Sequence, residues 1–298
     1  MFPVLIVHFG TVPHLQLCIT NALDSGNNVV WLTDQGSIDD KIINKHERLT
    51  IVNAYDYMGS SGLMQKKYVH CSPNSYNYEL ICILRWFVCH EYMKAHNIKR
   101  ACACDSDVLI FDNIGNIDSA CFSDQDFMLV SSNTNNVSGH TSIWNIDKLG
   151  EFVNYCKQFY DTNSREHIIN TMTNEKGGIC DMTLLYYFLQ NHSVFVGLRI
   201  PGGDTVVKKM VNDLSVVWTF NNESITFDHT INSTEHCRSE IQYEKDENNS
   251  KHVINKKGGL YCRNIKTGEY VRFMTLHFQG GYKSSRMDRC LGVLPLEE

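Results

Sequence analysis

Apolar positions in the first part of the chain fall into two alternating patterns. Compact apolar runs at residues 3–9, 28–33 and 49–53 have the length and composition of buried strands. Around them, apolar residues recur at helical spacing: Leu15, Cys18, Ile19 and Leu23 within 11–25, and Leu80, Leu84, Phe87, Val88 and Tyr92 within 76–96. The same reading predicts strands over 99–111 and 127–132, and helices over 149–160 and 181–190. Strands alternating with helices imply a parallel sheet with covered faces. From about residue 200 the pattern changes to short alternating segments, at 215–220 and 225–229. The polar stretch 235–252 reads as an exposed loop or mobile flap, and 259–263 with 269–277 as a β-hairpin whose second arm delivers His277. No repeat and no linker interrupts the chain. It is read as one domain over 1–298, with a nucleotide-binding half at 1–112 and an acceptor-binding half at 113–298.

Composition narrows the partners. A chain of 298 residues with 43% hydrophobic residues buries a sizeable core, and a formal charge of −6 argues against a nucleic-acid or acidic-membrane surface, which needs a net basic face. Any phosphate bound here is therefore expected to be a small, locally held ligand. The 12 cysteines sit mostly inside apolar segments with no C-x-x-C pair, so they read as buried thiols rather than a disulfide or zinc framework. The first apolar run lacks a basic leader, and no stretch approaches the roughly 20 apolar residues of a membrane span. The expectation is a soluble chain in a reducing, cytoplasmic compartment. Sequons at Asn136, Asn191, Asn222 and Asn232 read as accidents of an Asn-rich composition.

Candidate chemistry concentrates in the segment Ala-Cys-Ala-Cys-Asp-Ser-Asp-Val-Leu-Ile-Phe at 101–111. In an extended chain Asp105 and Asp107 point the same way and Ser106 points away, so two hard carboxylates can share one Mg²⁺ or Mn²⁺ with positions left for diphosphate oxygens. A polar turn capping a strand is the plain alternative. In α/β sheets ligands gather beyond the carboxyl ends of the strands, where residues 8–11, Asp34 and the aspartate pair all fall. Gly177 and Gly178 mark a bend that brings Asp181 to a helix start.

Together with a late His277-Phe278-Gln279-Gly280-Gly281-Tyr282-Lys283, which fits H-x-x-G-x-x-K, this order of features resembles the GT-A fold glycosyltransferases, in particular glycosyltransferase family 8 and its relatives. The resemblance implies an α/β fold of the nucleotide-diphospho-sugar transferase type, a mixed sheet flanked by helices with a β-rich C-terminal elaboration. It further implies that Asp105, Asp107 and His277 ligate Mn²⁺ or Mg²⁺ and that Lys283 neutralises the leaving phosphate. A cation and a lysine aimed at the departing oxygen stabilise the charge that grows there, and Gly280 lets the backbone approach the phosphates. By the same resemblance His8, Phe9, Gly10, Thr11 and Asp34 hold base and ribose. Ser106 joins them on the donor nucleotide, Arg85 meets the diphosphate or donor sugar unless it forms an exposed salt bridge, and His140 and Thr141 face the acceptor. Asp181 either deprotonates an acceptor hydroxyl or holds sugar hydroxyls, with a helix N-cap as the plain alternative. The family has Asp-Gln where this chain has Asp181-Met182, which leaves an inverting displacement open. The expected activity is transfer of a sugar from a nucleotide-diphosphate sugar, with a UDP-sugar as the expected donor, to a hydroxyl of a glycan or glycoconjugate. The competing readings are a haloacid-dehalogenase-like phosphatase with Asp105 as nucleophile, a sugar-phosphate nucleotidyltransferase, which would want a basic residue that the 8–12 loop lacks, and a non-catalytic sugar-nucleotide-binding protein.

Overall fold

The computed structural model describes residues 2–34, 46–133, 136–163, 166, 168, 170, 178–191, 213–234, 241–256, 258–280 and 283–292. The expected strand at the N-terminus forms as β1 (Pro3–Val7), followed by helix α1 (Pro13–Asp24), β2 (Asn28–Thr33) and β3 (Leu49–Asn53). Proline at the first turn starts α1, where its missing N–H costs nothing, and Gly26 at φ +79° closes it. The short helix α2 (Gly62–Lys67) precedes the long helix α3 (Tyr76–Ala95), whose Ser75 side chain accepts from the Tyr78 N–H. β4 (Arg100–Cys104), β5 (Val108–Ile110), the single-turn α4 (Ile114–Ile117), β6 (Phe127–Asn133), β7 (Asn136–Asn145) and α5 (Ile146–Thr162) complete the order before the helix Asp181–Asn191.

Six strands form the first sheet in the order β3-β2-β1-β4-β7-β6. The parallel expectation holds for β3, β2, β1 and β4. It fails at β7, which runs antiparallel to both β4 and β6, because the short connection between β6 and β7 returns the chain beside itself. The sheet is mixed, and the alternation along its strands divides two cores. Leu5, Ala101 and Ala103 face α3, α5 and the Asp181–Asn191 helix; Val4, Ile6, Cys102 and Cys104 face α1 and a second sheet. All described cysteines are free thiols, as expected of core fillers. On the α3 side Trp86 lies against Trp144 and Phe152 at ring distances of 5.7 and 5.6 Å. Gly139 on β7 makes that approach possible, since a Cβ there would lie 2.3 Å from the Trp86 ring.

The second sheet is built from β8 (Trp218–Phe220), β9 (Glu223–Phe227), β10 (Ile254–Lys256), β11 (Gly259–Arg263) and β12 (Tyr270–His277), in the order β10-β11-β12-β9-β8. Asn221 and Asn222, at φ 50° and 63°, make the two-residue turn between β8 and β9. The predicted hairpin ending at His277 is present as β11 and β12.

Two expectations need correction. The strand predicted over 99–111 is two strands in different sheets: β4 pairs with β1 and β7, whereas β5 pairs antiparallel with β12. The chain turns at 105–107, where the Val108 N–H donates to the Asp105 carbonyl at 3.3 Å, and so carries both aspartates off any common strand face. Where it is described, the stretch 235–252 is an exposed loop only in part, at Lys245, 247–249 and His252; Ile241, Tyr243 and Lys251 are buried against the second sheet. Residues 235–240, and with them Cys237, lie outside the described residues, as do 192–212 of the segment where the pattern was expected to change. No described helix is long and apolar enough to cross a membrane.

Candidate active site

The turn at 105–107 is the centre of a charged cluster drawn from four parts of the chain. Its backbone is fixed from both sides, with the Asp105 N–H donating to the His140 carbonyl at 2.8 Å and the Phe278 N–H to the Asp107 carbonyl at 3.0 Å. The two carboxylates then face different cations. Asp105 accepts from Arg85, in the middle of α3. Asp107 accepts from Lys283 Nζ at 2.5 Å, a residue 176 positions later, at the start of the helix Lys283–Gly292. Ser106 Oγ lies 2.9 Å from His8 Nδ1. Three consecutive side chains thus tie together α3, the loop after β1, and the C-terminal helix.

Asp107 is only 7% exposed, and its Oδ1 has no hydrogen-bond partner among the described residues. Facing it at 3.6 Å is His277 Nε2, at the end of β12. The other ring nitrogen, Nδ1, lies 2.8 Å from the His229 carbonyl, which only accepts, so Nδ1 carries a proton, and in the neutral ring Nε2 then presents its lone pair toward the carboxylate. Two acceptors confront each other, an arrangement that a proton or a cation satisfies. The carboxylate oxygen suits Mn²⁺ or Mg²⁺ and the imidazole nitrogen favours the transition metal of the two, Mn²⁺, and a ligating histidine anchored through its other nitrogen is the usual second-layer pattern. Among the described residues no three His, Cys, Asp or Glu side chains already stand together as a ligand group; Asp105 would have to release Arg85 to join the pair.

Arg85 is 16% exposed and spans Asp105 and Asp181, with its second nitrogen 2.6 Å from Asp181 Oδ2. Trp86 Nε1 donates to the same oxygen at 3.3 Å, and the Met182 N–H donates to Asp181 Oδ1 at 2.9 Å. Three of the four or so acceptor sites of Asp181 are therefore taken. The alternative of an exposed Arg85 salt bridge is overturned. The bend before Asp181 is real at Gly178, whose φ is +79° and whose Cβ would lie 2.0 Å from the Cys71 carbonyl oxygen; Gly177 lies outside the described residues.

The remaining expected residues line the edge of the first sheet. Asp34, at the end of β2, accepts from the Gly10 N–H at 2.9 Å and so folds the 8–11 loop back over the strand ends, and Thr11 follows it there. Phe9 meets the exposed Tyr55 at 5.7 Å. Burial first, then neighbouring His14, pulls His8 down to a pKa of about 4, which keeps it neutral. Gly280 sits at φ +82° with open space around its Cα, and with His14, Lys283, Ser284 and Ser285 it borders a hollow of about 530 Å³. His140 and Thr141 are buried behind the cluster rather than in that hollow, with the His140 ring stacked on His277 at 3.8 Å. Burial, and after it His277 and His229, hold His140 well below the ordinary histidine range.

Sequence reasoning missed His14, Trp86, Asp228 and His229. Asp228 and His229 end the apolar run of β9, the same strand-end position that singled out Asp105, and that signal was available; His14 and Trp86 carry no local signal, since one is a helix residue and the other an ordinary core aromatic.

No family model matches the chain, and no curated protein matches it. Solved structures similar to it include mouse xyloside xylosyltransferase 1 in its apo form, at 7% identity over 64% of this chain and 82% of that one, with a TM-score of 0.46. Others are the bifunctional glycosyltransferase WbbM, apo, at 10% identity over 63% of this chain and 37% of that one (TM-score 0.39), and the galactosyltransferase LgtC with donor and acceptor sugar analogs, at 10% identity over 63% and 70% (TM-score 0.37). At such identities the chemistry has to be read from this chain's own side chains.

Proposed function

We propose that the protein is a metal-dependent glycosyltransferase of the GT-A type, moving a sugar from a nucleotide-diphosphate sugar, with UDP as the expected nucleotide, to a hydroxyl of a glycan or glycoconjugate. The observation that carries this reading is the meeting of Asp107, His277 and Lys283 at one turn, with an unpartnered Asp107 Oδ1 3.6 Å from His277 Nε2 and Lys283 on the other carboxylate oxygen. Asp105, Asp107 and His277 would hold the Mn²⁺ or Mg²⁺. When bound, such an ion supplies positive charge against the diphosphate oxygens.

The chain's own groups supply the rest. Lys283 is held at the mouth of the hollow by Asp107 and carries a mobile positive charge that can transfer to a phosphate oxygen as the glycosidic bond breaks. Gly280 leaves the backbone open to close approach, and the loop of His8, Phe9, Gly10 and Thr11, tethered by Asp34, offers neutral and aromatic surface to a base and ribose. Ser106 reaches the same side through His8. Arg85, freed from Asp105, would turn its guanidinium to the donor while Asp181 keeps its other arm fixed. The crowding of Asp181 with three donors supports a holding role over that of a base for the acceptor hydroxyl. His140 supports His277 from beneath through their ring stack, with the Thr141 hydroxyl 3.1 Å from His140 Nδ1, and both are too buried to meet an acceptor themselves.

The test is calorimetric titration with a panel of nucleoside diphosphates, with and without Mn²⁺, against wild type and Asp107→Ala. The expected result is metal-dependent binding of one nucleotide, UDP, that is lost in the variant. Binding of none of them in the presence of metal would overturn the reading.

A further inference from the structure

The orientation of His277 depends on a buried ion pair that lies outside the cluster. Lys251 and Asp228 have side chains of 0% exposure each, with Lys251 Nζ 2.8 Å from Asp228 Oδ1. The ammonium donates to two backbone acceptors, the Thr230 carbonyl and, at 2.5 Å, the Ser233 carbonyl, while Asp228 Oδ1 supplies the opposite charge. The Lys251 N–H donates to the Ile231 carbonyl at 2.9 Å, and the Tyr243 ring lies 5.5 Å from Nζ. One lysine therefore closes the whole loop that follows β9.

That loop in turn grips His277 at three points. The His277 N–H donates to Asp228 Oδ2 at 3.1 Å, the Ile231 N–H donates to the His277 carbonyl at 3.0 Å, and Nδ1 donates to the His229 carbonyl at 2.8 Å. The last bond decides which nitrogen bears the proton. A buried ion pair is weak evidence for stability, since apolar residues of like volume often serve as well, and its best use is to fix one geometry.

We infer that Lys251 and Asp228 are positioning residues that lock the 228–233 loop so that the His229 carbonyl holds the His277 ring with its proton on Nδ1 and its Nε2 aimed at Asp107. The value of that orientation for metal binding rests on the reading of His277 as a ligand. The orientation itself does not, so the two fail separately.

The experiment is ¹⁵N NMR of histidine-labelled protein in mildly alkaline buffer, with His277 assigned by its loss in His277→Gln, alongside Mn²⁺ titration followed by electron paramagnetic resonance. Wild type should show His277 protonated on Nδ1. Lys251→Met should retain the circular dichroism of the fold, show the proton shared between both nitrogens, and bind Mn²⁺ about 10- to 100-fold more weakly, the usual scale for losing an outer partner of a ligand. If Lys251→Met does not fold, Asp228→Asn is measured in its place with the same expectation. A wild-type ring protonated on Nε2, or a folded variant with the Nδ1 proton undisturbed, overturns the inference. Failure of wild type to bind Mn²⁺ while the ring behaves as expected overturns the metal reading and leaves the positioning intact.

Discussion

Replacing Arg85 by methionine isolates the electrostatic frame on which the cluster is built. The guanidinium is 16% exposed and holds two carboxylates, one of them, Asp181, only 7% exposed in its side chain and the other, Asp105, 29% exposed. Removing one partner of a buried pair costs about 3–5 kcal/mol, because the charge left behind is neither hydrated nor paired. Water reaches Asp105 and offsets its share, whereas Asp181 keeps only Trp86 Nε1 and the Met182 N–H. The expected loss is about 2–4 kcal/mol, dominated by Asp181. Lysine at 85 reaches one carboxylate with a point charge rather than two with a fork, and should lose about half as much. Asp181→Asn added to Arg85→Met removes the stranded charge, so the double variant should be more stable than Arg85→Met alone. Urea unfolding followed by the fluorescence of the buried tryptophans measures each value, provided the slope with denaturant stays constant. A loss below about 1 kcal/mol for Arg85→Met, or a double variant less stable than the single one, would refute the reasoning.

Gly139→Ala puts a methyl group 2.3 Å from the Trp86 ring, and should cost about 1–3 kcal/mol by overpacking and change the near-ultraviolet circular dichroism of the tryptophans; an unchanged spectrum and melting midpoint would count against the tight seat. Acid should destabilise the fold through His8. The unfolded imidazole gains its proton near 6.5 and the folded one only near about 4, so between these values the unfolded state binds more protons and stability falls as pH is lowered. The His8 contribution is fully present above about pH 6.5 and about 2–3 kcal/mol is gone by about pH 4, with buried His140 acting in the same direction. Urea midpoints across that range, compared with His8→Asn, should show a shallower slope in the variant. Lys283→Met should weaken nucleoside diphosphate binding by about 10-fold or more and also lower the unfolding free energy by about 1–3 kcal/mol, since it leaves the Asp107 carboxylate, only 7% exposed, without its lysine partner; equal binding by calorimetry would remove Lys283 from the site.

The elements of the first sheet were legible because their signals are local. Continuous apolar runs and helical spacing located β1, β2, β3, α1 and α3 to within a few residues. The break between β4 and β5 was not, because Val108, Leu109 and Ile110 resume the apolar pattern of residues 101–104 after only three polar residues, Asp105, Ser106 and Asp107, which an extended strand also accommodates; the pairing of β5 with β12, a distant partner, is what separates them. Asp105, Asp107, His277 and Lys283 were found together from their residue types and order. The route by which they meet was misread, since the aspartates share a turn and not a strand face. Lys251 shows the opposite failure. Its surroundings at 244–250 are as polar as any loop, and nothing local says that its ammonium meets Asp228 and two carbonyls in the interior. A polar residue reads as exposed until its partners are known.

The pairing of β5 with β12 has a consequence for the site as a whole. Leu109 lies opposite Leu276 and Val108 opposite His277, all of them buried, so the register that packs the leucines also sets Asp107 beside the end of β12. Side chains alternate with a period of two, and although both faces of this pair are buried, a slip of one residue would exchange the packed leucines for their neighbours and turn His277 to the other face together. The apolar ladder therefore specifies the polar geometry, at no cost in charged groups. The cluster spans two sheets because it lies where the chain crosses between them: Asp105 belongs by its backbone to the first sheet through His140, and Asp107 to the second through Phe278. With Arg85 fixed to one side of the crossing and Lys283 to the other, a cation that takes Asp105 must draw Arg85 away from it, whereas Asp107 can offer its unpartnered Oδ1 and keep Lys283 on Oδ2. An anion brought in with that cation returns an acceptor to Arg85, which a neutral sugar does not, and this is the physical argument for the diphosphate proposed above.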